Sequence, residues 1–460
     1  MASSFISHPS SYRDPSGFLF YSDGILYRHV SQTFKGNFDL FIQSGLYELL
    51  VKKKVLIPHT TINENLTGRT DWYQTLRPEV LPFISYPYEW SFDMLKDAAL
   101  LTLDCAKEAI NFGMILKDAS AYNVQFNGGK MMFIDTLSFE KYDEQKPWIA
   151  YRQFCEHFLA PLALMHYLKT PLQSLLLAYP DGIPLAFAKK LMPFKSKFRL
   201  HTYLHLHLQG SLSKKHYAGD GSTRSFSKTK MSNLLQSLEE SIRSFTISEP
   251  PGIWSEYYDE ASQRADYLSA KKKITAEWIS RIKPYTTLDA GANEGLFSEL
   301  MQNEVKYIIS ADADHGPVNK LYKRVKEKGL KNLHPLIVDL AKPSPAIGLN
   351  NRERPSFMER TRVDMAVALA LIHHLAIGRN IPFSSSSEMF AQLAKTLIIE
   401  YIPKEDEKIK IMLNHKSDVY DWYTEQNFEK AFSARFRILE KKEIACSKRL
   451  LYLMETYEAQ

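Results

Sequence analysis

Cysteine is scarce in this chain of 460 residues: Cys105, Cys155 and Cys446 are the whole complement, and they form neither metal-ligand spacing nor an even framework. A disulfide scaffold and a thiolate zinc site are thereby excluded, and a reducing compartment is expected. Long apolar runs are also missing. The stretches Met365 to Leu375 and Phe158 to Leu168 fall well below the roughly 20 residues that cross a bilayer, and each contains or adjoins histidine. With no charged-then-apolar leader at the start, a soluble, cytoplasmic protein is the expectation. Charge of one sign does not dominate. The net charge is +6, spread over Lys52-Lys53-Lys54, Lys271-Lys272-Lys273 and the region from 189 to 230, the usual pattern of solvated faces rather than of a nucleic-acid groove. No repeat of solenoid length is present. At this length a single core is insufficient, so two or three domains are expected.

The chain also lacks a Gly-x-Gly-x-x-Gly turn, which excludes the usual pyrophosphate cradle. What it has is Thr287-Leu288-Asp289-Ala290-Gly291-Ala292-Asn293-Glu294-Gly295, an apolar strand end running into an acid and two glycines four apart. A residue without Cβ lets backbone approach a ligand at such a bend. A second short apolar strand, Ile308 to Asp312, delivers a carboxylate 23 positions after Asp289, the spacing of one strand-helix-strand unit whose acid faces a ribose diol. Asp289 would repel a phosphate and suits a cationic, phosphate-free nucleoside.

These residues resemble the first motif of the class I S-adenosylmethionine-dependent methyltransferases, an acid-x-Gly-x-x-x-Gly turn, and the likeness extends over about residues 254 to 456. Leu336 to Leu340 resembles the third strand with its acid Asp339, Val363 to Leu371 the fourth, and Leu397 to Pro403 the fifth. A helix at Asn427 to Ala434 and the runs Phe436 to Ile444 and Arg449 to Glu455 resemble the closing antiparallel pair. The resemblance implies an α/β fold, a doubly wound, seven-stranded Rossmann-like sheet with S-adenosylmethionine as cofactor. It implies further that Asp289, Gly291, Asn293 and Gly295 line the methionine side, that Asp312 or Asp314 holds the ribose, and that Asp339 faces adenine. His373 and His374 follow the fourth strand, where the acceptor should lie, and either is a candidate base, packing and loop capping being the alternative uses. Glu400, ending the fifth strand, is expected to cap a helix or line the acceptor site.

In the first half, Asp118, four residues, Asn123, a Gly128-Gly129 hairpin turn and a strand delivering Asp135 make a frame that phosphoryl transfer uses. The segment resembles the catalytic loop and metal-binding aspartate of protein-kinase-like and small-molecule phosphotransferases. That likeness implies Asp118 as base, Asn123 and Asp135 as magnesium ligands, and ATP as nucleotide. The glycine-rich phosphate loop and the Val-Ala-Ile-Lys strand are absent, and Arg28 with Glu48 would have to replace the lysine-glutamate pair. An inactive module that presents substrate, a working phosphotransferase and an unrelated fold with a coincidental Asp/Asn loop all remain open.

Around this frame, Gly17 to Val30 predicts a hairpin turning at Ser22-Asp23-Gly24, Asn37 to Lys53 a helix, Val80 to Trp90 a strand entering a proline-rich hinge, and Ser91 to Phe112 and Tyr151 to Tyr167 helices. His201, His205 and His207 have helical spacing, but no carboxylate or cysteine completes a set, so no metal is expected. The expected organisation is an α+β, kinase-resembling module over 1–170, a helical connector over 171–250 with an exposed linker near 209–229, and the methyltransferase domain over 251–460. The aromatic lead-in Trp254 to Ile282 is expected to pack against the sheet. The whole chain also resembles bacterial methyltransferases of the nodulation-type group. That likeness names no acceptor; transfer of a methyl group to an oxygen or nitrogen is expected, and because kinase-like and methyltransferase domains are paired in some polysaccharide-modifying enzymes a glycan acceptor, a saccharide or glycolipid hydroxyl, comes first, ahead of protein side chains and small-molecule metabolites. Bifunctional kinase/methyltransferase activity and a noncatalytic cofactor-binding partner are the alternatives, and the oligomeric state is not written in the sequence.

Overall fold

The computed structural model describes residues 5–212, 226–248, 265–414 and 418–457. The chain divides into two units, one formed by Met1–Glu249 with Ala346–Pro355 and the other by Pro250–Pro345 with Ser356–Gln460.

In the first unit, β1 (Ile6–Ser7), β2 (Gly17–Ser22), β3 (Ile25–Ser31), β4 (His59–Ile62) and β5 (Trp72–Pro78) form an antiparallel sheet in the order β1-β2-β3-β5-β4. The β2/β3 hairpin turns where expected, because Asp23 and Gly24 take φ of 50° and 75°, the geometry of a two-residue loop matched to strand twist. The helix expected over Asn37 to Lys53 is two helices, Lys35–Gln43 and Leu46–Lys52, broken at Gly45 with φ 86°. Val80 to Trp90 is not a strand. The segment that pairs is β5, upstream, and the prolines at 82 and 87 give instead an irregular connection closed by the short turn Pro87–Glu89, where Glu89 accepts the Tyr86 amide at 2.9 Å.

Beyond it the helix Phe92–Asn111 buries an apolar stripe and leads to β6 (Met114–Leu116), which pairs with β9 (Phe139–Lys141). Between them lies the hairpin of β7 (Val124–Asn127) and β8 (Lys130–Phe133), turned by Gly128 and Gly129 at φ 59° and 82°. The helix from Tyr151 to Leu168 forms as expected, with a wide turn over Cys155–Leu159. Residues 171–212 continue as short helices, and 226–248 hold the long helix Lys228–Ser244, which packs on Phe92–Asn111. Most of the expected linker near 209–229 lies outside the described residues.

The second unit is built on one sheet of β10 (Thr286–Ala290), β11 (Tyr307–Asp312), β12 (Leu333–Ile337), β13 (Val363–Ala368), β14 (Ala394–Tyr401), β15 (Phe436–Glu443) and β16 (Leu450–Thr456). Their order is β12-β11-β10-β13-β14-β16-β15, parallel from β12 to β14 and antiparallel in the last two pairings. The parallel strands read as continuous apolar runs because both faces are covered, whereas β15, at the edge, alternates half-buried and exposed residues after the buried Phe436. Succession reverses between β10 and β13, so the crevice of a doubly wound sheet opens at their carboxyl ends.

Candidate functional site

At the end of β10 the chain must turn sharply, and Gly291 and Gly295 do so at φ 78° and 80°, with Asn293 between them at 49°. The two glycines are needed for different reasons. A Cβ on Gly291 would stand 3.4 Å from Leu371 Cδ1, whereas one on Gly295 would stand 2.5 Å from Leu321 Cδ1, inside the core. Gly291 therefore shapes the turn, and Gly295 permits close packing of the helix Leu296–Met301 that it opens.

Asp289 is buried, and its carboxylate accepts from Ser298 Oγ at 2.5 Å, Ser298 accepting in turn from Ser310 Oγ at 2.7 Å. Burial, reinforced by the nearby charge of Asp312, pushes the Asp289 carboxyl up to about 6. Asp312, ending β11, uses both oxygens as a clasp: Oδ2 accepts the Asn293 amide at 2.8 Å and Oδ1 the Asp314 amide at 2.9 Å. Its pKa is also raised by burial. Asp314 caps the helix His315–Lys328, accepting from the Gly316 amide at 3.2 Å. Asp339 lies two residues past β12, bonded to the Ala341 amide at 3.0 Å and to Arg379 Nη2 at 3.3 Å. Two carboxylates, both hydrogen-bond acceptors, thus stand at the glycine turn that follows β10, and their negative charge fits a cationic, phosphate-free nucleoside.

Across the crevice, β13 ends at Ala368 and Ala370 adopts φ 50°, a left-handed conformation that costs an alanine about 1 kcal/mol. The strain is held by Glu400 on β14, whose Oε2 accepts the Ala370 amide at 2.8 Å. Glu400 neither caps a helix nor faces open solvent. It is fully buried, with Lys271 Nζ at 2.6 Å from Oε2, Tyr267 Oη donating to Oε1 at 2.6 Å and Arg449 Nη1 at 3.5 Å. Burial alone would raise its pKa, but Lys271 and Arg449 more than reverse that and hold it below the usual carboxylate range. Arg449 also bonds Asp406 at 2.8 and 3.0 Å and Tyr267 Oη at 2.9 Å.

This network was missed because Lys271 sits in a lysine run that reads as solvated. The available signal was the stripe Tyr267, Lys271, Thr275 and Trp278, one face of the helix Ala265–Ile282, all of them buried. Trp278 donates to Glu440 at 2.7 Å and Tyr267 to the network, while Trp254, Tyr257 and Tyr258 lie outside the described residues.

His373 and His374 follow, their ring centroids 4.0 Å apart. His373 is buried, its Nδ1 without a hydrogen-bond partner among the described residues. Burial, then the charges of His374, Arg449 and Lys271, hold it neutral. His374 is half-buried and its pKa is lowered to about 4 by the same loss of solvation.

In the first unit the structure brings Asp118, Asn123 and Asp135 together. Asp118 Oδ1 accepts the Ser120 amide at 2.9 Å, its pKa raised by burial and by Asp135, and Asn123 Nδ2 donates to Ser138 Oγ at 3.3 Å. Asp135 is taken by the Arg28 guanidinium on one oxygen and by the Ser138 hydroxyl on the other. Burial raises its pKa, but Arg28 and Ser138 bring the net shift below the ordinary value. Arg28 therefore pairs with Asp135 and not with the exposed Glu48, and the carboxylate that would ligate magnesium already faces a full positive charge. The three histidines near 205 make structural bonds: His201 and His205 to Ser237 at 2.8 Å each, and His207 to Ser196 at 2.7 Å.

No family model matches the chain. The nodulation protein NoeA of Rhizobium meliloti (strain 1021) is 32% identical over 458 residues, spanning 97% of this chain and 96% of that protein. Among solved structures, the N-methyltransferase NodS of Bradyrhizobium japonicum WM9 shares 10% identity at TM-score 0.30, over 43% of this chain and 97% of its own. The bifunctional kinase-methyltransferase WbdD shares 16% at TM-score 0.29, over 43% and 40% respectively. The magnesium protoporphyrin IX methyltransferase ChlM of Synechocystis PCC 6803 shares 15% at 0.31, over 42% and 86%. These structural likenesses are partial, and the family follows from the relative matched end to end. The chain belongs to the family of the nodulation protein NoeA, and its C-terminal unit has the sheet order and the acidic glycine turn that the resemblance to the class I S-adenosylmethionine-dependent methyltransferases implies.

Proposed function

We propose that this protein methylates an oxygen or nitrogen of a saccharide or glycolipid at the crevice between β10 and β13, with the N-terminal unit holding or presenting the acceptor. The observation that carries this reading is the pairing, at one topological switch point, of an acidic glycine turn with a strained Ala370 held by a buried carboxylate. S-adenosylmethionine, when bound, supplies an activated methyl group on a sulfonium. What remains for the chain is alignment, exclusion of water and a place for the acceptor's proton. Asp312 and Gly291 would hold the nucleoside, Asp289 would oppose the positive charge, and Asp339 would stand beside adenine. A neutral imidazole accepts a proton through its unprotonated nitrogen, and the half-buried His374 is better placed to meet a substrate than the fully buried His373. The pair of Arg28 with Asp135 favours a presenting role for the first unit over phosphoryl transfer.

The test is transfer of labelled methyl to saccharide and glycolipid acceptors by the full chain; no transfer to any member of either class would overturn the reading. General base catalysis contributes roughly 10²- to 10⁴-fold, so His374→Ala should lower kcat within that range while leaving cofactor affinity within a few-fold. Turnover unchanged in both His373→Ala and His374→Ala removes the base assignment.

Asp289 gives a pH signature. Its folded pKa, about 6, lies above the unfolded value of 3.8, so its contribution to stability is complete below pH 3.8 and is lost as pH rises through about 6. A cationic ligand reverses the preference by favouring the carboxylate. Affinity for S-adenosylmethionine should therefore fall by up to about tenfold per pH unit below pH 6, while the neutral demethylated product binds with little pH dependence. Calorimetry across that range checks it. Parallel pH profiles for the two ligands, or a profile that Asp289→Asn leaves intact, would remove Asp289 from the site.

A further inference from the structure

The histidine-rich segment has a second face that the methyltransferase reading leaves unused. His205 and His207 turn inward, bonded to Tyr151, Ser237 and Ser196, and so fix the rotation of the chain from Leu200 to Leu208. Leu200, Leu204 and Leu208 of the same segment are left in solvent, Leu200 being 65% exposed. Immediately before it, the short helix Phe194–Phe198 exposes Phe194 at 69% and Phe198 at 76%, their rings edge to face at 5.4 Å. Exposed aromatic rings of this size, adjoining a row of leucines, form a patch that calls for a partner.

Charge says which partner. Lys195, Lys197 and Arg199 are exposed among the phenylalanines, Lys197 lying over the Phe194 ring at 4.9 Å, and the sequence from 182 to 219 holds no aspartate or glutamate. The carboxylate of Glu240, from the neighbouring helix, lies 3.3 Å from His201 and also accepts from Gln236 of its own helix. Protruding phenylalanine and leucine interleaved with an acid-free set of cations is the composition of a surface that lies in the headgroup region of an anionic bilayer. A protein partner of ordinary composition would be met by a polar rim of both signs.

We propose that residues 194–208 form a peripheral docking surface for anionic membrane lipid, inserting Phe194, Phe198 and the leucine row while Lys195, Lys197 and Arg199 meet lipid phosphates. The surface is independent of the methyl acceptor, so failure of one proposal leaves the other standing. Flotation of the full chain with vesicles of phosphatidylcholine, alone or with roughly a third phosphatidylglycerol, tests it. Binding is expected on the anionic vesicles only and should weaken with salt. Each basic residue near such a surface multiplies partitioning by roughly five, so Lys195→Glu, Lys197→Glu and Arg199→Glu together should lower it about a hundredfold or more. Phe194→Ser with Phe198→Ser should lower it at least tenfold at equal charge, with methyl transfer to a water-soluble acceptor unchanged. If the phenylalanine variant fails to fold, the charge variant and the salt series still decide. Absence of wild-type binding, equal binding by the charge variant, or a self-association abolished by the phenylalanine variant without any vesicle binding would each overturn the proposal.

Discussion

Glu400→Ala is expected to cost the C-terminal unit roughly 3 to 5 kcal/mol and to abolish methyl transfer even where the fold survives at low temperature. Removing the carboxylate takes away the counter-charge that Lys271, which is 2% exposed, shares with the buried Arg449. It also frees the Ala370 amide, so the left-handed turn that leads to His373 and His374 loses the bond that holds it. The chemical basis is separable from simple loss of volume. Glu400→Gln combined with Lys271→Met removes both charges while keeping an acceptor for Ala370, and it should recover most of the stability, since replacing a buried pair by neutral groups of similar size is often neutral. Urea unfolding of the three proteins measures this. A loss below about 1 kcal/mol for Glu400→Ala would mean that the network is solvated and does not organise the crevice.

The second large effect is expected at Asp312. Its oxygens hold the amides of Asn293 and Asp314, so the same side chain shapes the glycine turn and, in the proposed function, meets the ribose. In Asp312→Asn one oxygen becomes an amide nitrogen that faces an N–H donor. Charge-assisted hydrogen bonds contribute about 1.5 to 3 kcal/mol each, so the affinity for S-adenosylmethionine should fall roughly 10- to 100-fold or more. Asp314→Asn serves as the contrast, because Asp314 caps a helix and its amide analogue is an equally good cap. Calorimetry showing the larger loss at 314 would transfer the ribose role to that residue.

The second unit was legible because its signals are local. A parallel strand buried on both faces must be an apolar run, and a turn that approaches a ligand must have glycine, so the seven strands and the positions of Asp289, Gly291 and Asp312 could be read in order along the chain. The first unit was less so. Val80 to Trp90 has the composition of a strand, but pairing is settled by which segment reaches β3 in register, and that was Trp72–Pro78. The single helix expected after β3 was broken by Gly45, whose positive φ is a choice made by packing of the two halves.

Composition, periodicity and spacing determined that the chain is an α/β protein with an acidic glycine turn near residue 290, because those features depend on neighbours a few residues apart. Which charges meet was decided only in three dimensions. Lys271 reaches Glu400 across 129 positions, Arg28 reaches Asp135 across 107, and the face of Leu200 to Leu208 left in solvent depends on bonds from His205 and His207 to other segments. Charge pairing acts through space and follows no period along the chain, so a lysine in a basic run and an arginine on a strand gave no sign of their partners until the fold placed them.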